Sequence, residues 1–228
     1  NVAVGGLHGT LTLPQGAGAA PAALILAGSG PVDRDGNVPG ASSDSLKLLA
    51  RGLADRGIAS LRIDKRGIGA SAAAATREED LRFDVYVTDA VAWLAFLKTE
   101  PSVSRIVVIG HSEGGLVATL AAQRVEVAAL ILLAGAGEPA DRIIARQLAA
   151  AGVPQSLQAE SKRISDSLLQ AKAVADVPPE LAALYRPNVQ NYLMSWLPLD
   201  PAAELGRAAA LDRWAVLPAL GASVRSVA

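Results

Sequence analysis

Between Arg105 and Gln123 the chain reads R-I-V-V-I-G-H-S-E-G-G-L-V-A-T-L-A-A-Q. An apolar, strand-like run enters G-H-S-E-G, and residues at helical spacing leave it. A serine hydroxyl attacks a carbonyl well only when it stands clear of the backbone and a neighbour takes its proton. A sharp strand-to-helix turn meets the first condition, and G-x-S-x-G is the sequence form of such a nucleophile elbow. Gly110 and Gly114 leave room for strand and helix to approach each other, and Ser112 stands at the nucleophile position. The helix that begins near Gly115 turns its positive end toward an oxyanion, with the Glu113 N–H as one donor. The competing interpretation is a glycine-rich turn with no chemical role.

A second oxyanion donor is expected from the loop after the apolar run Ala22–Ala27, where Gly28, Ser29 and Gly30 can bring N–H groups close to a substrate. The same glycines could serve a plain tight turn. A nucleotide loop is disfavoured, because neither G-x-x-x-x-G-K-[ST] nor the full dinucleotide fingerprint is present.

The proton acceptor is harder to place. An elbow serine is followed along the chain by an acid and then a histidine. This sequence has two histidines, His8 and His111, and none beyond Ser112. His111 is expected on the strand face opposite Ser112, as a packed, hydrogen-bonded neighbour. His8 falls on an early strand toward the far side of the sheet. Glu138 and Asp141 could act as the acid or be surface charges. Asp64, Lys65 and Arg66 suit an ion-paired loop, with Lys65 an unusual alternative base.

Elements that could position these residues alternate along the chain. Leu7–Leu13, Ala22–Ala27, Ile58–Ile63, Arg105–Ile109 and Ala128–Leu133 read as strands, the last of them buried. Ser43–Arg56, Asp84–Leu97 and Gly115–Gln123 have helical spacing. Such alternation predicts a mostly parallel sheet with helices on both faces. After Glu138 no convincing strand follows until the tail. Asp141–Ala151 and Ser156–Ala175 read as helices, P-P-E and Arg186-Pro187 break the run, and a helix ends near Leu211. Ala215–Leu220 could begin a further strand, confined by Pro218 to an edge or an end.

Composition narrows the function classes. Hydrophobic residues make up 51% of the chain, enough for a buried core, while aromatics at 4% leave packing to aliphatic side chains. A formal net charge of -1 without basic runs argues against nucleic acid as a partner. Absence of cysteine excludes disulfides and thiolate metal sites, and two isolated histidines make no metal site, so no cofactor is expected. No apolar stretch is long enough to span a bilayer. The chain begins with Asn1 and shows no signal-peptide pattern. A soluble protein is expected, cytoplasmic or exported after removal of an N-terminal segment, and composition does not choose between them.

Three separated blocks, A-G-S-G-P-V-D-R-D-G-N, then D-S-L-K-L-L-A-R-G-L-A-D-R-G-I-A-S-L-R-I-D-K-R-G-I-G-A-S, then G-H-S-E-G-G, occur in an order that resembles bacterial α/β-hydrolase-fold serine esterases. The likeness is to EstD-type, acyl-peptidase-like carboxylesterases, and runs from residue 7 to about 201, including P-P-E-L and S-W-L. It implies an α/β-hydrolase fold with a helical lid and ester hydrolysis through an acyl-enzyme on Ser112. Ser29 or Gly30, with Glu113, would then match the oxyanion positions. On this reading residues 1–138 form the hydrolase core, 139–200 a lid or cap insertion, and 201–228 a remnant of the C-terminal core. Tyr192, Leu193 and Trp196 either line an apolar substrate pocket or pack the lid.

The chain departs from the family after the lid. A strand of the type V-P-V-L, then Gly and Asp, and later a histidine are expected there. Instead A-V-L-P-A-L-G leads to A-S-V-R-S-V-A. Three explanations stay open: C-terminal strands, acid and histidine lost or altered; an unconventional base or one from a partner subunit; or a relative that binds without turnover. The leading expectation is a carboxylesterase-like serine hydrolase acting on small acyl esters. The alternative is a catalytically impaired hydrolase serving as a binding or self-assembling module, with a homodimer formed through an exposed strand edge.

Overall fold

The computed structural model describes residues 1–16 and 18–209. Its centre is a six-stranded sheet. In chain order the strands are β1 (Val2–Val4), β2 (Leu7–Thr12), β3 (Ala20–Leu26), β4 (Ala59–Ile63), β5 (Val103–His111) and β6 (Ala129–Leu133). They lie side by side as β1-β2-β4-β3-β5-β6. The pairs β4–β3, β3–β5 and β5–β6 are parallel, whereas β1–β2 and β2–β4 are antiparallel. β1 is an addition to the sequence reading. It pairs with β2 through a two-residue turn, Gly5-Gly6, with φ of 54° and 82°, and only glycine holds two successive positive φ cheaply.

Parallel strands require crossovers, and helices supply them: α1 (Ser45–Ala54), α2 (Phe83–Thr99) and α3 (Glu113–Arg124). β3 shows why its sequence is continuously apolar. Ala22, Leu24 and Leu26 join the core with Phe83, Trp93 and Leu116 of α2 and α3. Ala23, Ile25 and Ala27 face the opposite way, toward Leu46 and Ala50 of α1. A strand covered on both faces has no polar side to show.

β6 corrects one expectation. It reads as buried, yet Ile131, Leu132 and Leu133 are 43%, 36% and 37% exposed. β6 is the last strand beside β5 among the described residues, so apolar character there does not imply cover.

Beyond β6 come α4 (Ala140–Ala150), α5 (Gln155–Leu169), α6 (Ala182–Tyr185), α7 (Pro187–Trp196) and α8 (Pro201–Ala209). α4 to α7 enclose a second apolar cluster that includes Ile164, Leu168, Leu181, Tyr185 and Leu193. α5 stops earlier than its periodicity suggests. Ala171 takes a left-handed φ of 56°, and the Lys172 N–H turns back to the Ser167 carbonyl at 3.0 Å. Pro187, expected to break a helix, begins α7 instead; at a first helical position proline lacks only an N–H that has no partner there anyway.

α7 is fastened to the start of α2. The Ser195 hydroxyl accepts from the Phe83 N–H at 2.8 Å, and Asn191 Nδ2 donates to the Glu79 carbonyl at 2.7 Å. Arg186 pairs with Glu78. α8 packs on α3, where Gln123 Nε2 donates to Glu204 Oε2 at 2.9 Å. No helix among the described residues is long and apolar enough to cross a membrane. The helix end near Leu211 and the strand expected over Ala215–Leu220 lie outside the described residues.

Candidate active site

β5 delivers Ser112 to the carboxyl end of the parallel strands, the usual position for a site in an open α/β sheet. Ser112 itself has φ 51° and ψ -121°. Positive φ strains a residue with a Cβ, and the surroundings must over-determine it. They do so from both sides. The Ser112 N–H donates to the Leu133 carbonyl at 2.9 Å, and its carbonyl accepts from the Gly115 N–H at 2.9 Å. A Cβ at Gly110 would lie 2.6 Å from the Gly115 Cα, and one at Gly114 would lie 2.5 Å from the Ala27 carbonyl oxygen. Both glycines are therefore required by contact with backbone that cannot move aside.

Two clefts meet at Ser112. One, of about 90 Å³, lies between the elbow, the segment after β6, α4 and the end of α7. Ser29, Leu116, Ile143, Ile144 and Trp196 are among its walls. The other, of about 280 Å³, runs under the loop after β3 and is bordered by Ser29, Ser43, Ser45 and His111. Ser29 and Ser112 belong to both. Of the three aromatic or apolar residues proposed for a substrate pocket, Trp196 lines the first cleft. Leu193 is instead 5% exposed within the helical cluster. Tyr192 packs between the two cores, with ring centroids 5.8 Å from Trp196 and 6.0 Å from Phe83. The contribution of α4 through Ile143 and Ile144 is not legible in the sequence; adjacent apolar residues in a helix do not say which neighbour they face.

The loop carrying Gly28, Ser29 and Gly30 is built by its own polar residues. Asp33 Oδ1 accepts from the Asp35 and Asn37 N–H groups at 2.8 and 2.9 Å. Arg34 donates to buried Asp64 through its backbone N–H at 2.8 Å and its guanidinium at 3.0 and 2.6 Å. Arg66 grips Asp89 in the same forked manner at 3.1 and 2.5 Å. Thus Asp64 and Arg66 occupy ion pairs. Lys65 Nζ donates to the carbonyls of Gly28 and Gly30, each at 2.6 Å. Mixed charge in P-V-D-R-D-G-N and D-K-R-G is the sequence signal for this scaffold, though the partners come from different loops.

Beneath the elbow, Glu113 is buried beside Lys65, Tyr86 and Asp89 around a cavity of about 20 Å³. Burial raises the Glu113 carboxyl above the ordinary range, against the pull of Lys65 and Tyr192. Burial likewise lowers the Lys65 ammonium, with Glu113 opposing. The Tyr86 phenol is pushed up to about 12, first by burial and then by the Glu113 charge. The Tyr192 hydroxyl, raised well above its usual value by burial, meets the Glu113 carboxyl at a geometry short of a regular hydrogen bond.

The histidines fall in different places. His8 lies on β2, where its N–H donates to the Ser71 hydroxyl at 2.8 Å. His111 is exposed, borders the larger cleft beside Ser112, and makes no side-chain hydrogen bond among the described residues. The packed, hydrogen-bonded role expected for it is therefore corrected among the described residues: strand β5 ends there, and its last side chain lies beside Gly28 at the cleft instead of within the core. Glu138 pairs with Arg146 at the rim of the smaller cleft. Among the described residues no group of three or more His, Cys, Asp or Glu is placed to hold a metal.

Taken together, an elbow serine, a mostly parallel sheet and helices on both faces define an α/β-hydrolase. The family described as serine aminopeptidase, S33, matches residues 40–192, more than half of the chain, and the chain belongs to that serine-hydrolase family. It is 28% identical to Esterase EstD of Thermotoga maritima over 204 residues, covering 89% of this chain and 47% of EstD. The chain thus spans about half the length of that relative. Its fold is also that of the α/β hydrolase GrgF from Penicillium sp. sh18 (TM-score 0.53, 22% identity, 87% of this chain and 72% of GrgF). DcsB, solved in complex with its substrate analogue, is similar at TM-score 0.55 and 17% identity, over 88% of this chain and 72% of DcsB.

Proposed function

We propose that the chain hydrolyses carboxylic esters of small acyl groups, with Ser112 as nucleophile. The observation that carries this reading is the strained serine at the mouth of both clefts, held by hydrogen bonds on either side. Ser112 Oγ adds to the ester carbonyl, and the carbonyl electrons move to an oxyanion within reach of the Glu113 and Ser29 N–H groups. Collapse expels the alcohol, which takes up the proton released by the Ser112 hydroxyl, and forms an acyl-enzyme. Water then adds to the acyl carbon and releases the acid. The cleft walled by Leu116, Ile143, Ile144 and Trp196 suits a short apolar acyl chain, and the hydroxyl-bearing cleft suits the alcohol. In this reading the helices within residues 139–200 act as a lid on the core built from the sheet and α1 to α3. Similarity to an esterase supports the ester over the amide.

A fluorophosphonate probe tests the nucleophile, with p-nitrophenyl butyrate and a long-chain ester in parallel. The reading expects Ser112 to be labelled, no labelling of Ser112→Ala, and faster turnover of the butyrate. An unlabelled but folded parent protein would overturn it. His111→Gln separates a base at the cleft wall from one elsewhere, since loss of labelling there assigns the proton to His111.

The exposed apolar β6 favours a second reading, a module that self-associates through that edge. Sedimentation velocity would then show a concentration-dependent dimer that Leu132→Lys shifts to monomer. A monomer throughout would reject it.

A further inference from the structure

Lys65 is the one cation in direct contact with the backbone of the proposed oxyanion loop among the hydrogen bonds of the described residues. Its Nζ reaches the Gly28 and Gly30 carbonyls, both at 2.6 Å, from the turn that follows β4. The turn is itself immobilised. Asp64 beside it accepts from the Arg34 guanidinium and from the Ala70 N–H at 2.8 Å, and the Asp64 N–H donates to the His8 carbonyl at 3.0 Å. The ammonium also lies 5.7 Å from the centre of the Tyr86 ring, a stabilising contact for a cation.

Peptide geometry makes the contact informative. In a planar trans peptide the C=O and the following N–H point in opposite directions. Drawing the Gly28 carbonyl toward Lys65 therefore turns the Ser29 N–H away from Lys65, and Ser29 borders both clefts at Ser112. The Gly30 carbonyl belongs to a peptide with Pro31, which has no N–H, so that second bond anchors the loop without presenting a donor. Gly30 has φ of 75°, which the anchor helps to keep. A cation bound to the carbonyl also polarises the peptide and strengthens its N–H as a donor. Lys65 further shares a cavity with Glu113, whose N–H is the other proposed donor. A buried carboxylate there would repel a nearby oxyanion, and the Lys65 charge offsets it.

We infer that Lys65 is a positioning residue that aims the Ser29 N–H at the oxyanion by holding the Gly28 and Gly30 carbonyls, while screening Glu113. The inference rests on the Ser112 reading, so its test has a readout independent of chemistry. Lys65→Met is compared with the parent for fluorophosphonate labelling, kcat and KM, and for amide hydrogen exchange over residues 27–31. The expected result is a fall in kcat of about 10- to 100-fold, a modest part of what an oxyanion donor supplies, with KM within about 2-fold. Exchange over the loop should accelerate while the melting temperature stays near that of the parent.

Rescue guards against misfolding. The chain has no cysteine, so Lys65→Cys treated with 2-bromoethylamine restores an ammonium at that site alone, and should recover most of the lost rate and protection. Unchanged labelling, kcat and exchange in Lys65→Met would overturn the inference, as would a failure of rescue in a folded protein. If the parent itself does not label, the nucleophile reading falls, and exchange alone then decides whether Lys65 orders the loop.

Discussion

Gly114 and Glu113 sit side by side at the elbow, and each makes a sharp prediction. A methyl group at Gly114 would press on the carbonyl oxygens of Ala27 and Leu26 at 2.5 and 2.6 Å. Backbone of a central strand cannot retreat, so Gly114→Ala should destabilise by about 3 kcal/mol and distort Ser112. Chemical denaturation measures the first effect and probe labelling the second. Glu113 predicts a pH dependence. Its carboxyl is raised in the fold by burial, so above the unfolded carboxylate value, about 4.3, the folded state holds more protons than the unfolded state. Stability at this site is therefore full at lower pH and lost as pH rises through the raised value. Melting temperature followed from about pH 4 to about pH 8 should fall less steeply in Glu113→Gln than in the parent.

At the scale of elements, Gln190 of α7 does for the helical region what the ion pairs do for the loops. Its Oε1 accepts from the Val174 N–H at 2.8 Å, and its Nε2 donates to the Val174 and Tyr185 carbonyls at 2.7 and 2.8 Å. The side chain is buried, and it pairs backbone that no regular element satisfies. Gln190→Leu keeps much of the volume and strands three polar groups. It should cost about 2–4 kcal/mol, read as a lowered denaturation midpoint with the sheet core otherwise intact. α7 also carries Trp196 to the cleft, so the same variant should raise KM for short esters.

For the molecule as a whole, Asp64 joins three distant stretches of chain. It receives Arg34 from the loop after β3 and the Ala70 N–H from the turn after β4, while its backbone contacts β2. Asp64 is 1% exposed, so removing its charge leaves the mostly buried Arg34 guanidinium with no carboxylate and only the Thr10 hydroxyl at 3.2 Å as a side-chain partner among the described residues. Asp64→Ala should cost about 3–5 kcal/mol, and Asp64→Ala with Arg34→Met should recover part of it. A double-mutant cycle by urea unfolding checks the coupling; simple additivity would show the pair to be independent.

Much of this protein is legible along the chain. Ser112, Gly110 and Gly114 are readable because a strained elbow imposes local rules on residue type, and β3 because burial on both faces leaves a continuous apolar run. β6 misleads for the converse reason: apolar residues encode a capacity for burial, and what lies beside them is decided elsewhere. The surroundings of His111, Leu193 and Tyr192 are not written along the chain for the same reason, since the direction of a side chain depends on which element crosses it. The elbow, the alternation of strands and helices and the composition of the core are local properties, set by backbone sterics and hydrophobic periodicity. The two clefts at Ser112, the grip of Lys65 on Gly28 and Gly30, and the burial that raises Glu113 required the tertiary structure, because each joins residues far apart in the chain whose meeting no local pattern records.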